Sequence, residues 1–161
     1  MKNIIFLDID GVILPVGAYK HLFVDDIIRS PYKYDVKLAK ITKKYSRVAN
    51  LKKLALDYDA KFVLISTWRN LFPDEFLVRY LTLIGLDTQD YFHEDWVARK
   101  KNKMNIHYPK NQDIQYWLWE HEFTGDWWII DDEDQHVPEE NWIRTNSLKG
   151  YVIEPEDDGQ G

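Results

Sequence analysis

Three short apolar runs punctuate this chain, and each ends abruptly on polar residues. NIIFL at 3–7, KFVLI at 61–65 and DWWII at 126–130 are too short for buried helices and have the composition of strands covered on both faces. A further strand is expected at 150–153, ahead of the acidic stretch EPEDDGQG, which is expected to fray. Between the runs the apolar period changes. Residues 47–58 place Val48, Leu51, Leu54, Ala55 and Tyr58 on one helical face. Asp74 and Glu75 after Pro73 open a second helix that runs through FLVRYLTLI and stops at Gly85. Residues 111–121 form a third, with Ile114, Trp117, Leu118 and His121 at helical spacing, and 35–45 is a fourth candidate. Residues 86–110 read as loop, with a short strand or turn near Tyr91 and Phe92. Strands alternating with helices predict an α/β fold, a parallel sheet with helices on both faces. The pattern gives one domain over 1–154, with a small insert at about 13–46 broken by Pro15, Gly17 and Pro31, and a tail at 155–161.

Composition narrows the chemistry. The 161 residues suffice for one sizeable core. The absence of cysteine excludes disulfides, thiol nucleophiles, cysteine–zinc sites and iron–sulfur clusters, and it suits a reducing compartment. No apolar run approaches the roughly 18–20 residues of a membrane span, and the opening MKNIIFLDID lacks the form of a signal peptide. A soluble, cytoplasmic and monomeric protein is expected. The net charge of −6 hides an asymmetry: residues 1–110 carry 19 Lys+Arg against 13 Asp+Glu, whereas residues 111–161 carry 2 against 14. Residues 33–53 hold eight basic residues and only Asp35, and residues 99–110 hold Arg99, Lys100, Lys101, Lys103 and Lys110 with no acid. Such clusters serve either as solvated helix faces or as contacts for an anionic partner.

The polar residues that end the strands are the candidate chemistry. Asp8 and Asp10 follow the first strand, Ser66 and Thr67 the second, Asp131 and Asp132 the third. Ligands of open parallel sheets bind beyond the carboxyl ends of the strands, so these groups converge on one cleft. Four carboxylates there require a cation, and an all-oxygen donor set favours Mg²⁺ over zinc or copper. In Asp8-Ile9-Asp10-Gly11 the two acids leave the strand on the same side. One can attack phosphorus while the other carries the proton, and Gly11 permits a tight turn or close approach to a ligand. Asp-x-Asp-Gly also occurs in calcium loops and surface turns, but here a buried run precedes it directly.

Taken in order, FLDIDGVI, VLISTWR, Lys110 opening a helix, and WWIIDDEDQ resemble the four motifs of the haloacid dehalogenase (HAD) superfamily, spanning residues 4–134. YSRVANLKKLALDYDAKFVLISTWR and YPKNQDIQYWLWEH are similar to the small, nearly capless HAD domains of RNA-repair and end-healing proteins. The paired acids after the last motif strand resemble the phosphatase half of polynucleotide kinase-phosphatases. The resemblance implies a Rossmann-like fold with a minimal cap and a Mg²⁺-dependent phosphatase working through an aspartyl-phosphate. It makes Asp8 the nucleophile and a Mg²⁺ ligand, and Asp10 the general acid/base with its carbonyl on the metal. Ser66, or Thr67 in the other register, would bind the phosphoryl oxygens. Lys110 would offset charge, with Lys100, Lys101 and Lys103 as neighbours on the same loop. Asp132 would be the third protein ligand, and Asp131 would orient it or bind through water. Val12 stands where the family often has Thr, which does not imply inactivation.

Arg69, in the first turn after the second strand, can reach a phosphate or pair with an acid. Trp117, Trp127 and Trp128 read as core; Trp68 and Trp96 are the candidates for base stacking. The histidines show no metal spacing. A small cap and two basic stretches favour a polynucleotide 3′-end or related nucleotide phosphate as substrate. Mononucleotides or other small phosphomonoesters are the second reading, and a phosphate- or nucleic-acid-binding module without turnover is the third.

Overall fold

The computed structural model describes residues 2–15, 17–19, 22, 24–45, 48–99 and 107–145. Among them, five strands form one wholly parallel sheet in the order β3-β2-β1-β4-β5. The strands are β1 (Asn3–Leu7), β2 (Ala60–Leu64), β3 (Phe92–Val97), β4 (Trp127–Asp131) and β5 (Trp142–Arg144). The helices are α1 (Val24–Arg29), α2 (Asp35–Tyr45), α3 (Val48–Asp57), α4 (Trp68–Leu71), α5 (Asp74–Leu83), α6 (Thr88–Tyr91) and α7 (Lys110–Glu120).

The period of two in β1 sorts its side chains between two layers. Ile5 and Leu7 pack into a core with Leu38 of α2, Leu51, Leu54 and Ala55 of α3, and Phe76, Leu77, Tyr80 and Leu81 of α5. Ile4 and Phe6 face the other way, against Ile114 and Trp117 of α7 and Val63 and Ile129 of the flanking strands. Both faces of the sheet are therefore covered, which is why the central strands read as unbroken apolar runs. Gly85 ends the α5 segment at φ +94°, a left-handed conformation that glycine adopts without strain.

The region 86–110 departs from the expectation of a loop. Asp87 caps the short helix α6, accepting a bond from the Asp90 amide at 3.1 Å, and the chain then runs directly into the six-residue strand β3. The short strand or turn expected near Tyr91 and Phe92 is thus the start of β3, whose extent to Val97 was hidden for a physical reason. Phe92 pairs with Phe62 and Val97 with Leu64, so five steps along β3 match two along β2. A bulge of that kind scrambles the inward–outward alternation by which a half-buried strand is recognised. β5 was also missed, being a three-residue edge strand with no buried position. The strand expected at 150–153 and the tail at 155–161 lie outside the described residues, as do Lys100, Lys101, Lys103 and His21. The insert packs on the body through Leu22, Ile27, Leu38 and Ala39, all buried in the α3–α5 core. No helix among the described residues is long and apolar enough to cross a membrane.

Candidate active site

Strand register builds the site. Leu7 lies beside Leu64 on one side and Ile130 on the other, so the next residues, Asp8, Ile65 and Asp131, emerge abreast at the carboxyl edge. The Asp8 amide donates to the Ile130 carbonyl at 3.3 Å, which fixes that alignment. Asp8 and Asp131 are buried, and Lys110, the first residue of α7, places its Nζ 3.2 Å from Asp8 Oδ2 and 2.8 Å from Asp131 Oδ2. Among the described residues, Lys110 is thus the lysine seen at the acids. Oxygens of Asp8, Asp131 and Asp132 all lie within 4.8 Å of one another.

One lysine cannot neutralise three acids. Burial pushes Asp8 up to about 8, with Lys110 pulling it down and Asp131 adding to the rise. Burial, together with the hydrogen bond and charge of Asp131, raises Asp132 to about 6. For Lys110 burial acts downward, but the two carboxylates outweigh it and hold the ammonium above its ordinary value. Such an excess of buried negative charge, carried only by hard oxygen donors, fits a divalent cation such as Mg²⁺.

Gly11 makes room for this cluster. Its φ of +79° turns the chain away from Asp10, and a Cβ there would overlap the Asp132 carboxylate. The turn is held by Thr145, whose hydroxyl donates to the Gly11 carbonyl at 2.7 Å. Behind it, the Thr145 amide and the Trp142 indole both donate to the Asp131 carbonyl, at 3.2 and 3.0 Å. The edge strand β5 therefore braces the acids of β4. Gly11→Ala is expected to cost about 1–3 kcal/mol in urea unfolding from its strained backbone, plus the displacement of Asp132. Adding Asp132→Ala should recover only the second part; full recovery by the double variant would show that backbone strain is not the cause.

Asp10 is organised differently. Tyr19 Oη donates to its Oδ1 at 2.9 Å and Trp68 Nε1 to its Oδ2 at 3.0 Å, so neutral donors clamp both oxygens. Burial raises Asp10 above its ordinary value, while the bonds from Tyr19 and Trp68 and the charge of Lys110 pull the other way. Its side chain stands outside the three-carboxylate cluster. Tyr19 was not singled out from sequence because it lies in the irregular insert, where nothing periodic marks it. Trp68 corrects the stacking expectation: it is buried and serves as a hydrogen-bond donor, packed edge-on against Tyr19 at 6.0 Å. Trp96 is half-buried against the core.

At the end of β2, Ser66 is buried and its Oγ accepts from the Trp68 amide at 3.2 Å; Thr67 is exposed. Arg69 answers its own alternative. Its side chain is 1% exposed, and its Nε and Nη2 donate to Asp113 Oδ2 at 3.2 and 2.7 Å. Its remaining bonds go to the carbonyls of Ile65, Ser66 and Tyr108. All five N–H donors are engaged within the protein, so Arg69 positions the site instead of binding a phosphate. It joins the turn after Ser66 to the first turn of α7, three residues from Lys110.

These ordered strand ends, acids and lysine are the setting in which the comparison with known proteins is informative. Residues 4–153 match the family described as the HAD domain in Swiss Army Knife RNA repair proteins. The chain belongs to that family. Its parallel sheet with helices on both faces is the Rossmann-like fold of the HAD group, and membership supports a phosphatase-like, hydrolytic function. Neither a curated protein nor a solved structure matches the chain.

Proposed function

We propose that this HAD domain is a Mg²⁺-dependent phosphomonoesterase that acts through a phospho-aspartate on Asp8, with phosphorylated polynucleotide 3′-ends or nucleotide phosphates as substrates. The observation that carries the reading is the Lys110 ammonium bridging Asp8 and Asp131, with Asp10 clamped two residues on. Asp8, Asp132 and the Asp10 carbonyl would hold Mg²⁺, which when bound supplies positive charge to the phosphoryl oxygens. Asp131, with Oδ1 on the Glu133 amide and Oδ2 on Lys110, is suited to orient that group.

The steps assigned to the chain's own residues balance. An Asp8 carboxylate oxygen bonds to phosphorus as the ester P–O bond breaks, and protonated Asp10 gives its proton to the leaving oxygen. Asp10 then takes a proton from water, whose oxygen attacks phosphorus; the Asp8–phosphorus bond breaks and phosphate leaves. Lys110 compensates charge throughout, and the Ser66 hydroxyl would face the phosphoryl oxygens.

The polynucleotide reading rests on the RNA-repair family and on the basic stretches of the sequence. Its test is Mg²⁺-dependent phosphate release from a 3′-phosphorylated oligonucleotide beside a 5′-phosphorylated one, mononucleotides and nitrophenyl phosphate. Preference for the 3′-phosphorylated end is expected. Equal rates on nitrophenyl phosphate would refute the nucleic-acid part, and no release from any ester would refute the catalytic part.

The raised acids also predict a pH-dependent response to Mg²⁺. In the unfolded chain both acids lose their protons near pH 4, whereas folded, metal-free Asp132 and Asp8 retain theirs to about pH 6 and 8. Between those limits the native state binds more protons, so their contribution to stability falls as pH rises. Mg²⁺ competes with these protons. Its stabilisation should be small at pH 5 and should raise Tm by about 4 °C or more at pH 8. A Tm gain that is the same at both pH values would contradict this assignment.

A further inference from the structure

The lysines of residues 33–53 have no part in the site above. Lys37, Lys40 and Lys44 recur at helical spacing along α2, Lys43 lies beside them, and Lys33 stands one turn earlier; all five are exposed. Asp35, the one acid of the stretch, is buried and paired with Arg79, so no surface carboxylate from the stretch itself opposes the lysines.

Lys33 also lines a groove of about 640 Å³ between residues 28–33 and 70–73. The second wall begins in α4, whose first residue, Trp68, bonds Asp10, and the Phe72 ring just beyond that helix lies 5.2 Å from Trp68. The groove and the acid site therefore share one turn of chain. Tyr32 and Leu71 line it at 52% and 46% exposure, unusually open for large hydrophobic side chains. Tyr32 is nonetheless held, edge-on to Phe76 at 6.2 Å and with its hydroxyl donating to Glu75 at 3.3 Å. Arg29, at the same groove, is paired with Asp26.

We propose that the groove and the lysines of α2 bind the strand of a single-stranded polynucleotide whose phosphorylated end enters the Asp8 site; this rests on the catalytic reading above. Lysines at helical intervals meet successive backbone phosphates, and a held, half-open tyrosine ring offers a stacking face to one base. A lipid surface would instead engage projecting apolar side chains, whereas Tyr32 and Leu71 line a recess.

The test uses the full chain and fluorescence anisotropy with an unphosphorylated single-stranded RNA of about 15 nucleotides, near the upper site size of a single binding domain. K33Q/K37Q/K40Q should weaken binding at least about tenfold and reduce the slope of log K against log salt by about 2. Tyr32→Ala should weaken it about tenfold with the salt slope unchanged. Both variants should hydrolyse nitrophenyl phosphate at the parent rate. Unchanged RNA affinity and slope in the triple variant would overturn the proposal. So would tighter binding of the parent to phosphatidylserine vesicles than to RNA, lost in the same variant. RNA binding through these lysines without phosphate release from any ester would leave the surface standing and remove the catalytic reading instead.

Discussion

Asp8→Asn should reduce phosphate release at least about a thousandfold while raising the Tm of the metal-free protein. The two effects have one origin. Asp8 and Asp131 are buried together against a single ammonium, Lys110, so the charge that the proposed nucleophile Asp8 needs is held at a cost. Asparagine keeps the shape and can still accept the Ile9 amide bond, 2.8 Å long at Asp8 Oδ1, but it has no carboxylate oxygen to attack phosphorus. Removal of the charge relieves the desolvation that pushes Asp8 up to about 8, which at pH 8 should appear as a Tm increase of about 2 °C or more. The measurement pairs a phosphate-release assay with a thermal melt in chelator. Retention of more than about a tenth of the parent rate would remove Asp8 as the nucleophile. A fall in metal-free Tm would show that its charge is compensated in the fold.

The same comparison shows why part of this site was readable from the chain alone. Asp8, Asp131 and Asp132 sit where buried strands stop, and strand register then brings Asp8 and Asp131 side by side without help from loops. Lys110 was readable because it opens a helix with a clear apolar face on Ile114 and Trp117. Tyr19, Thr145 and Trp142 were not, since each acts through one or two hydrogen bonds from a segment with no periodic signature. Trp68 and Arg69 carried a signal that pointed outward. Large aromatic and cationic side chains next to a catalytic motif suggest ligand contact, yet both are turned inward to hold Asp10 and α7. In the fold, the long apolar runs gave the central strands, whereas at the sheet edges half-burial and a bulge left only the start of β3, near Phe92, readable and hid β5. The register of an edge strand is set by the strand beside it, which local sequence does not describe.

Arg69→Met is the largest stability loss expected from a single change, about 3–5 kcal/mol in urea unfolding. The pair it breaks is fully enclosed, with side-chain exposures of 1% for Arg69 and 2% for Asp113. Methionine fills much of the volume but leaves a buried carboxylate without its cation, and it withdraws donors from the carbonyls of Ile65, Ser66 and Tyr108. The double variant Arg69→Met/Asp113→Leu separates these contributions. Removing both charges should restore more than half of the lost stability, because an ion pair replaced by apolar groups of similar size is often close to neutral. Activity should not follow. Tyr108 precedes Lys110 by two residues, and Asp113 lies one turn beyond it, so Arg69 fixes the start of α7 from both sides of the lysine. A double variant that regains stability but keeps a kcat at least tenfold below the parent, with KM little changed, would identify Arg69 as the residue that aims Lys110. A single variant that costs less than about 1 kcal/mol would refute the buried pair as a structural tie.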